Sequence, residues 1–229
     1  MIRPVLAALA LALAAPPALA ASPRWGSLDL GMQGYYPNID SEFPTRPGAY
    51  EAMFGTGRGW MFQLGISRAL FTKVGSLELG IRTGYFQDKA KGIVAGTADR
   101  AGDETSFKIV PTSLALTYRF DWLVDRWNVP LAPYGRATLE RYNWWITGAT
   151  GSWSKEGATN GWSVTGGLGF LLDFLDPTLA RELDQDSGVN HTYVFAEITK
   201  SRIDDFGSSS SWDLSDEKLS LSFGLSFVF

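Results

Sequence analysis

The chain has 229 residues, 20 Lys and Arg against 24 Asp and Glu for a net charge of −4, and no cysteine. This composition excludes thiol chemistry and disulfide stapling, leaves no cysteine for a zinc site, and argues against nucleic acid as a partner. Glycine is plentiful at 25 residues and aromatics reach 14%, yet nothing after residue 20 approaches the run of about 18 apolar residues that marks a spanning helix.

The first element is a targeting segment. Met1-Ile2-Arg3 gives a basic start, Val5 to Ala15 is an unbroken apolar run, Pro16 and Pro17 break it, and Ala18-Leu19-Ala20 supplies a small-x-small pattern. The run is shorter than the roughly 20 residues an anchor helix needs. The expectation is a signal peptide over 1–20, cleaved between Ala20 and Ala21, with 21–229 as one domain. The competing reading is a buried N-terminal core helix. No cysteine follows the run, so no lipid anchor is expected.

From there the apolar residues keep a two-residue period, the mark of half-buried strands. In chain order, Leu28, Leu30, Met32 and Tyr36 alternate with Ser27, Asp29, Gly31 and Gln33. Trp60, Phe62, Leu64 and Ile66 form a second row, and Leu77, Leu79, Ile81 and Tyr85 a third. Leu114, Leu116, Tyr118 and Phe120 form the fourth; upstream of Pro111 the apolar set moves to Phe107 and Ile109, which predicts a bulge at the proline. Leu131, Ala137 and Leu139 oppose Arg136, Thr138 and Glu140, and Trp162, Val164, Leu168 and Phe170 oppose Ser163, Thr165, Gly167 and Gly169. Segment 192–202 is ambiguous, with Val194, Ala196 and Ile198 on one face and Tyr193, Phe195 and Glu197 on the other. Leu219, Leu221, Phe223, Leu225, Phe227 and Phe229 complete an eighth row.

Eight alternating segments behind an export signal predict an all-β fold, an eight-stranded antiparallel transmembrane β-barrel in up-and-down order. A soluble β-sandwich is the alternative. The charges Asp29, Glu78, Arg82, Arg119, Arg136, Glu140 and Glu197 fall near mid-strand on the polar face. Inside a barrel they could pair, and a lumen polar network of Asp29, Glu78, Arg82, Arg136, Glu140 and Glu197 is expected. Aromatics at the strand ends predict two interfacial girdles: Trp25, Phe71, Trp122, Trp127 and Phe229 at one, and Tyr35, Tyr36, Tyr85, Trp144, Trp145 and Trp162 at the other.

Connections 37–57, 88–104, 147–159 and 205–216 read as long extracellular loops, and 70–74 and 121–130 as short periplasmic turns, which leaves both termini periplasmic. Residues 173–191 are long for a turn. Asp176-Pro177 starts a helix, and Leu175, Leu179 and Leu183 recur at four-residue spacing. This predicts a short periplasmic helix that either packs its leucines on the barrel rim or docks a partner.

Tyr118-Arg119-Phe120-Asp121, followed by Pro130-Leu131-x-Pro133-Tyr134-Gly135, resembles a family of bacterial outer-membrane β-barrel domains found in myxobacteria and related delta-class proteobacteria. Gly84-Tyr85-Phe86 and Phe195-Ala196-Glu197 are similar to it as well. The resemblance covers most of the chain through short motifs. It implies an eight-stranded barrel and, the family being functionally uncharacterised, no activity. The ending on Phe229 resembles the last strand of outer-membrane barrels, which implies that Phe229 is the signal read by the barrel-assembly machinery. More loosely, the chain is similar to small eight-stranded barrels of enteric bacteria.

No catalytic set can be assembled. The single histidine, His191, would begin strand seven on the periplasmic side, away from the outer-leaflet position where histidine-dependent barrel enzymes act, and reads as structural. Asp204-Asp205 reads as a solvated loop edge, and Gly166-Gly167-x-Gly169 as strand glycines rather than a phosphate loop, since no helix follows. No cofactor and no metal are expected. Three function classes remain: a non-enzymatic structural or surface-interaction barrel acting through its loops, a small transporter for an apolar or small solute, and an enzyme. The first is favoured, because Tyr50 and Phe54 in one loop and Phe206 and Trp212 in another offer aromatics for contact, unless these rest on headgroups. Expected partners are outer-membrane lipid and lipopolysaccharide and the assembly machinery, with the chain a monomer.

Overall fold

A computed structural model describes residues 23–43, 47–93, 100–148, 153–208 and 210–229. The leader, with Ala20 and Ala21, lies outside them. Eight strands close into one barrel: β1 (Gly26–Tyr35), β2 (Gly59–Phe71), β3 (Ser76–Ile93), β4 (Arg100–Arg119), β5 (Leu131–Thr147), β6 (Ser154–Leu171), β7 (His191–Arg202) and β8 (Ser220–Val228). Each strand pairs antiparallel with its sequence neighbours, and β1 closes on β8 with Leu30 opposite Leu225. Among the described residues three short α-helices lie between strands: α1 (Ala49–Phe54), α2 (Trp122–Trp127) and α3 (Pro177–Ser187). Strand starts and ends define a terminal end, where Trp25 and Phe229 meet, and an opposite loop end.

The alternation read in the sequence is the alternation of the two barrel faces. Ile66, Ile81 and Leu139 point outward and are 59%, 59% and 60% exposed, whereas Glu78 and Glu197 point inward at 2% and 3%. β7 resolves its ambiguity the same way: Tyr193, Phe195 and Glu197 are inward and Val194, Ala196 and Ile198 outward. A soluble sandwich would bury the apolar row. A continuous exposed apolar surface around a charged, buried interior is far larger than the few hundred Å² that a soluble monomer leaves bare. The molecule is an inside-out barrel, apolar on its outer face and charged within.

Three sequence expectations change. No bulge forms at Pro111: Thr83–Thr112 and Phe86–Ile109 share one register, and Pro111 sits opposite Tyr142 in an unbroken ladder. Phe107 and Ile109 continue the inward row of Ser113 and Thr117; the chemistry of the interior changes there, while the strand geometry does not. Residues 88–104 and 147–159 are not loops in the main, because β3–β4 and β5–β6 continue as long hairpins to Ile93, Arg100, Thr147 and Ser154. Neighbouring strands satisfy each other's backbone groups with or without lipid around them, so polar side chains do not stop the ladder. Finally, Tyr35 is buried inside at 1% exposure and Trp144 packs against the same interior cluster, so neither belongs to a girdle.

Candidate functional site

The lumen concentrates charges of both signs, and it is filled in three tiers. At the terminal end, the Arg119 guanidinium donates to Glu78 at 2.6 Å and to Asp121 at 2.8 Å. Glu78 also accepts from Ser27 at 2.8 Å and from Ser67, and Asp121 accepts from Ser76. Arg24, preceding β1, approaches Asp121 at 3.7 Å and pairs with Asp125 of α2. These links run from β1 to β4 across the barrel floor.

The middle tier centres on Arg136. It donates to Glu197 at 2.7 Å and to Asp29 at 3.2 Å, and Arg82 reaches the same Asp29 oxygen at 3.1 Å. Tyr134 donates to Glu197 and Ser226 to Asp29, both at 2.7 Å. Glu140 stands apart from every cation of this set and accepts instead from the Thr138 hydroxyl at 2.7 Å and from Ser163. Of the six residues expected in a lumen network, Asp29, Arg82, Arg136 and Glu197 therefore form one cluster. Glu78 belongs to the floor, and Glu140 to a hydroxyl pocket. A cavity of about 40 Å³ lies beside them, lined in part by Gln33, Gln63, Arg82 and Glu140, and a second of about 20 Å³ lies below. Such volumes hold roughly one or two waters and no solute.

The loop-end tier is apolar. Tyr35, Met61, Phe86, Phe107, Ile109, Tyr142, Ile203 and Leu214 form one buried cluster inside the mouth. Their rings meet edge to face: Tyr35 lies 5.0 Å from Phe86, and Phe107 lies 6.4 Å from it. Tyr35 donates to the Leu214 carbonyl at 2.6 Å, which satisfies its hydroxyl.

The described residues 37–43 and 47–57 lie over this cluster as a lid, with Ile39 and Tyr50 buried in it. Asp40 accepts from the backbone N–H groups of Tyr50 (2.6 Å) and Glu51 (2.8 Å), so its carboxylate caps α1 from outside the helix. Tyr50 points down, its ring 5.9 Å from Phe107 and its hydroxyl donating to Asp88 at 2.8 Å. Burial, then the Asp88 charge, pushes that hydroxyl well above its ordinary range; burial beside Asp40 pushes Tyr36 up to about 12. Arg58 fastens the lid to Asp216, whose carboxyl burial holds above the usual range.

The aromatics expected on the loops divide accordingly. Tyr50 is buried, Phe54 packs partly against the cluster, Trp212 stacks on Trp144 at 4.3 Å, and Phe206 alone of the four stays largely exposed. Sequence reasoning missed this plug because an inward Tyr or Phe sits at a position that the polar row lower down reserves for Ser or Glu. The signal was the apolar shift above Pro111, read as a bulge.

Around the terminal mouth, His191 lies between Asp173 (Nδ1, 2.8 Å) and Arg24 (Nε2, 3.1 Å). Guanidinium only donates, so Nε2 accepts and Nδ1–H donates to Asp173. Asp204 pairs with Arg202 and Asp205 accepts from Asn160. Asp176 caps α3 through Thr178 and Leu179, each at 3.1 Å. Leu175, Leu179 and Leu183 remain exposed, so the leucines do not pack on the rim. Phe229 stacks on Trp25 at 5.6 Å, and its carbonyl accepts from the N–H groups of Trp25 and Gly26.

No family model matches the chain, and no curated protein matches its sequence. Among solved structures, the outer membrane protein OprG from Pseudomonas aeruginosa aligns with a TM-score of 0.52 and 13% identity, over 90% of this chain and 97% of that one. Ail of Yersinia pestis, solved with the heparin analogue sucrose octasulfate, aligns at 0.44 and 11% over 90% and 97%. The N-terminal barrel of OprF from Pseudomonas aeruginosa aligns at 0.41 and 14% over 90% and 100%. The likeness to OprG is one of fold: a closed eight-stranded barrel of the kind found in outer membranes.

Proposed function

We propose that the chain is a monomeric, non-enzymatic outer-membrane protein, exported by a leader cleaved after Ala20, with its termini in the periplasm and its loop end outside. In this reading the barrel is a rigid stalk that presents the lid and the β3–β4 and β5–β6 hairpins to partners at the cell surface. Membership of the uncharacterised myxobacterial barrel family belongs to the same proposal, on the motifs around Arg119 and Tyr134.

One observation carries the reading. Among the described residues, ion pairs fill the lumen at the floor and an aromatic cluster fills it at the mouth, and the two cavities beside the ion pairs are water-sized. A transporter of small or apolar solutes would need a path along the axis, and both ends of this one are sealed. What remains available is the outer surface, held on strands of up to 20 residues.

The test uses cells that display the protein. Shortening both hairpin tips is expected to leave boiling-dependent gel migration intact and to abolish any cell-surface or cell–cell binding that the full chain confers. Full binding by the trimmed protein, or a large steady conductance of the purified full chain in planar bilayers, would overturn it.

A further inference from the structure

The outward faces of β5, β6 and β7 differ from the rest of the belt as they approach the loop end. On β5 the outward row runs Ala137, Leu139, Arg141; on β7 it runs Val194, Ala196, Ile198, Lys200, Arg202. Registers bring these rows together through β6: Leu139 faces Trp162, Arg141 faces Asn160, Trp162 faces Arg202 and Val164 faces Lys200. Three cations thus lie around one outward tryptophan, where apolar residues give way to polar ones. Nearer the middle of the belt the outward residues stay apolar around the seam: Ile198 and Ala196 face Leu221 and Phe223 on β8, and Phe223 leads to Met32 on β1 and Phe62 on β2. A single cation faces a second outward tryptophan across β4 and β5, Lys108 opposite Trp145, but three gather only around Trp162.

Local anions account for these charges only in part. Arg202 pairs with Asp204 at 2.8 Å. Arg141 hydrogen bonds to the neutral amides of Asn143 at 3.3 Å and Asn160 at 3.2 Å, and the Asp205 carboxylate, held by Asn160 and Ser211, is near enough to attract it without an ion pair among the described residues. Lys200 is exposed beside Val164 and has no acceptor among the described residues. A cation at the edge of hydrocarbon favours an anionic partner, and headgroup phosphates are the anions found at that depth. Three adjacent strands, about 4.8 Å apart, set the donors at the span of a phosphorylated headgroup. Arg offers paired donors to phosphate oxygens and Lys a mobile point charge, while Trp162 supplies an apolar face with a polar edge at the interface.

We propose that Arg141, Lys200 and Arg202 form a lateral binding site for the phosphate of an outer-leaflet glycolipid headgroup, with Trp162 packed against its acyl–headgroup boundary. The inference rests on the outer-membrane reading for which leaflet the loop end meets. The full chain is refolded into phosphatidylcholine nanodiscs doped with diphosphorylated lipid A or its dephosphorylated form, and retained lipid is counted by native mass spectrometry. Boiling-dependent migration and nanodisc insertion report the barrel itself, so failure there indicts the membrane reading and not the site.

With inserted protein, retention of phosphorylated lipid is expected to fall about tenfold or more in the triple variant Arg141→Gln/Lys200→Gln/Arg202→Gln. Lys200→Arg should keep it, and the dephosphorylated lipid should be retained weakly by both. Equal retention of phosphorylated lipid by the wild type and an inserted triple variant overturns the site. Full displacement by inorganic phosphate at matched concentration overturns its assignment to a lipid. Should the triple variant not insert, Lys200→Gln alone with full retention also overturns the site.

Discussion

Arg136 bonds Glu197 and Asp29 at once, so its loss strands two buried carboxylates. Breaking a buried pair from one side costs about 3–5 kcal/mol, whereas replacing a whole pair by apolar side chains of similar volume is often neutral. Arg136→Met should therefore lower unfolding stability in detergent by about 3–5 kcal/mol, and adding Glu197→Gln should recover part of it; a loss below 1 kcal/mol in the single variant would show that water already screens the tier. The network fills the lumen in a defined way more than it adds net stability. A second residue-scale prediction concerns Gly48. A Cβ there would lie 2.2 Å from the Asp40 Cγ, displacing the carboxylate that holds Tyr50 and Glu51. Gly48→Ala should loosen the lid by about 1–2 kcal/mol, seen as faster proteolysis within 37–57 with barrel migration unchanged. Gly48 has no left-handed φ to betray it, so nothing in the sequence separates it from an ordinary loop glycine.

At the scale of elements, α3 shows how far local rules reach. Asp176 at its cap, Pro177 at its first position and Gly188 at φ 71° are local chemistry, and the helix forms where they place it. Where it sits is not local. None of its residues is buried, and Leu179 and Leu183 are exposed. Replacing 177–187 with a short Gly/Ser turn should accordingly change barrel stability by less than about 1 kcal/mol, since loop length costs little. A larger drop in the denaturation midpoint would mean that α3 braces the rim. The glycines of β6 and β8 make the converse point: Gly167 lies under the Tyr134 ring, and Gly224 lies against the Leu30 carbonyl and the Phe195 ring. Gly166-Gly167-x-Gly169 is legible as strand glycines, but which aromatic covers a given glycine depends on strand neighbours that no local reading supplies.

For the whole molecule, closure depends on the β1–β8 seam, and Phe229 finishes it. Its carbonyl receives two backbone donors from the start of β1, while Phe227 lies in the outward row. Deleting Phe229 should reduce folded protein in cells severalfold, while Phe227→Leu should be mild. If Phe229 is read by the assembly machinery, the deletion variant will refold with nearly normal yield in detergent; equal losses in cells and in detergent would assign its role to the seam alone.

The sequence by itself determined the strand order, the outward row and the inward charges, because a pleated strand alternates faces whatever surrounds it. It also determined the cap of α3 and the sign of most lumen groups. Only the tertiary structure decided which charges meet, that Glu78 with Arg119 makes a floor while Glu140 finds hydroxyls, and that the mouth is sealed by rings under a folded lid. The reason is physical. Alternation says which way a side chain points, but its partners across a closed barrel are set by the registers of all eight strands together. The inward row turns from charged to aromatic where it rises past Pro111 and meets the lid, 50 and more residues away in sequence.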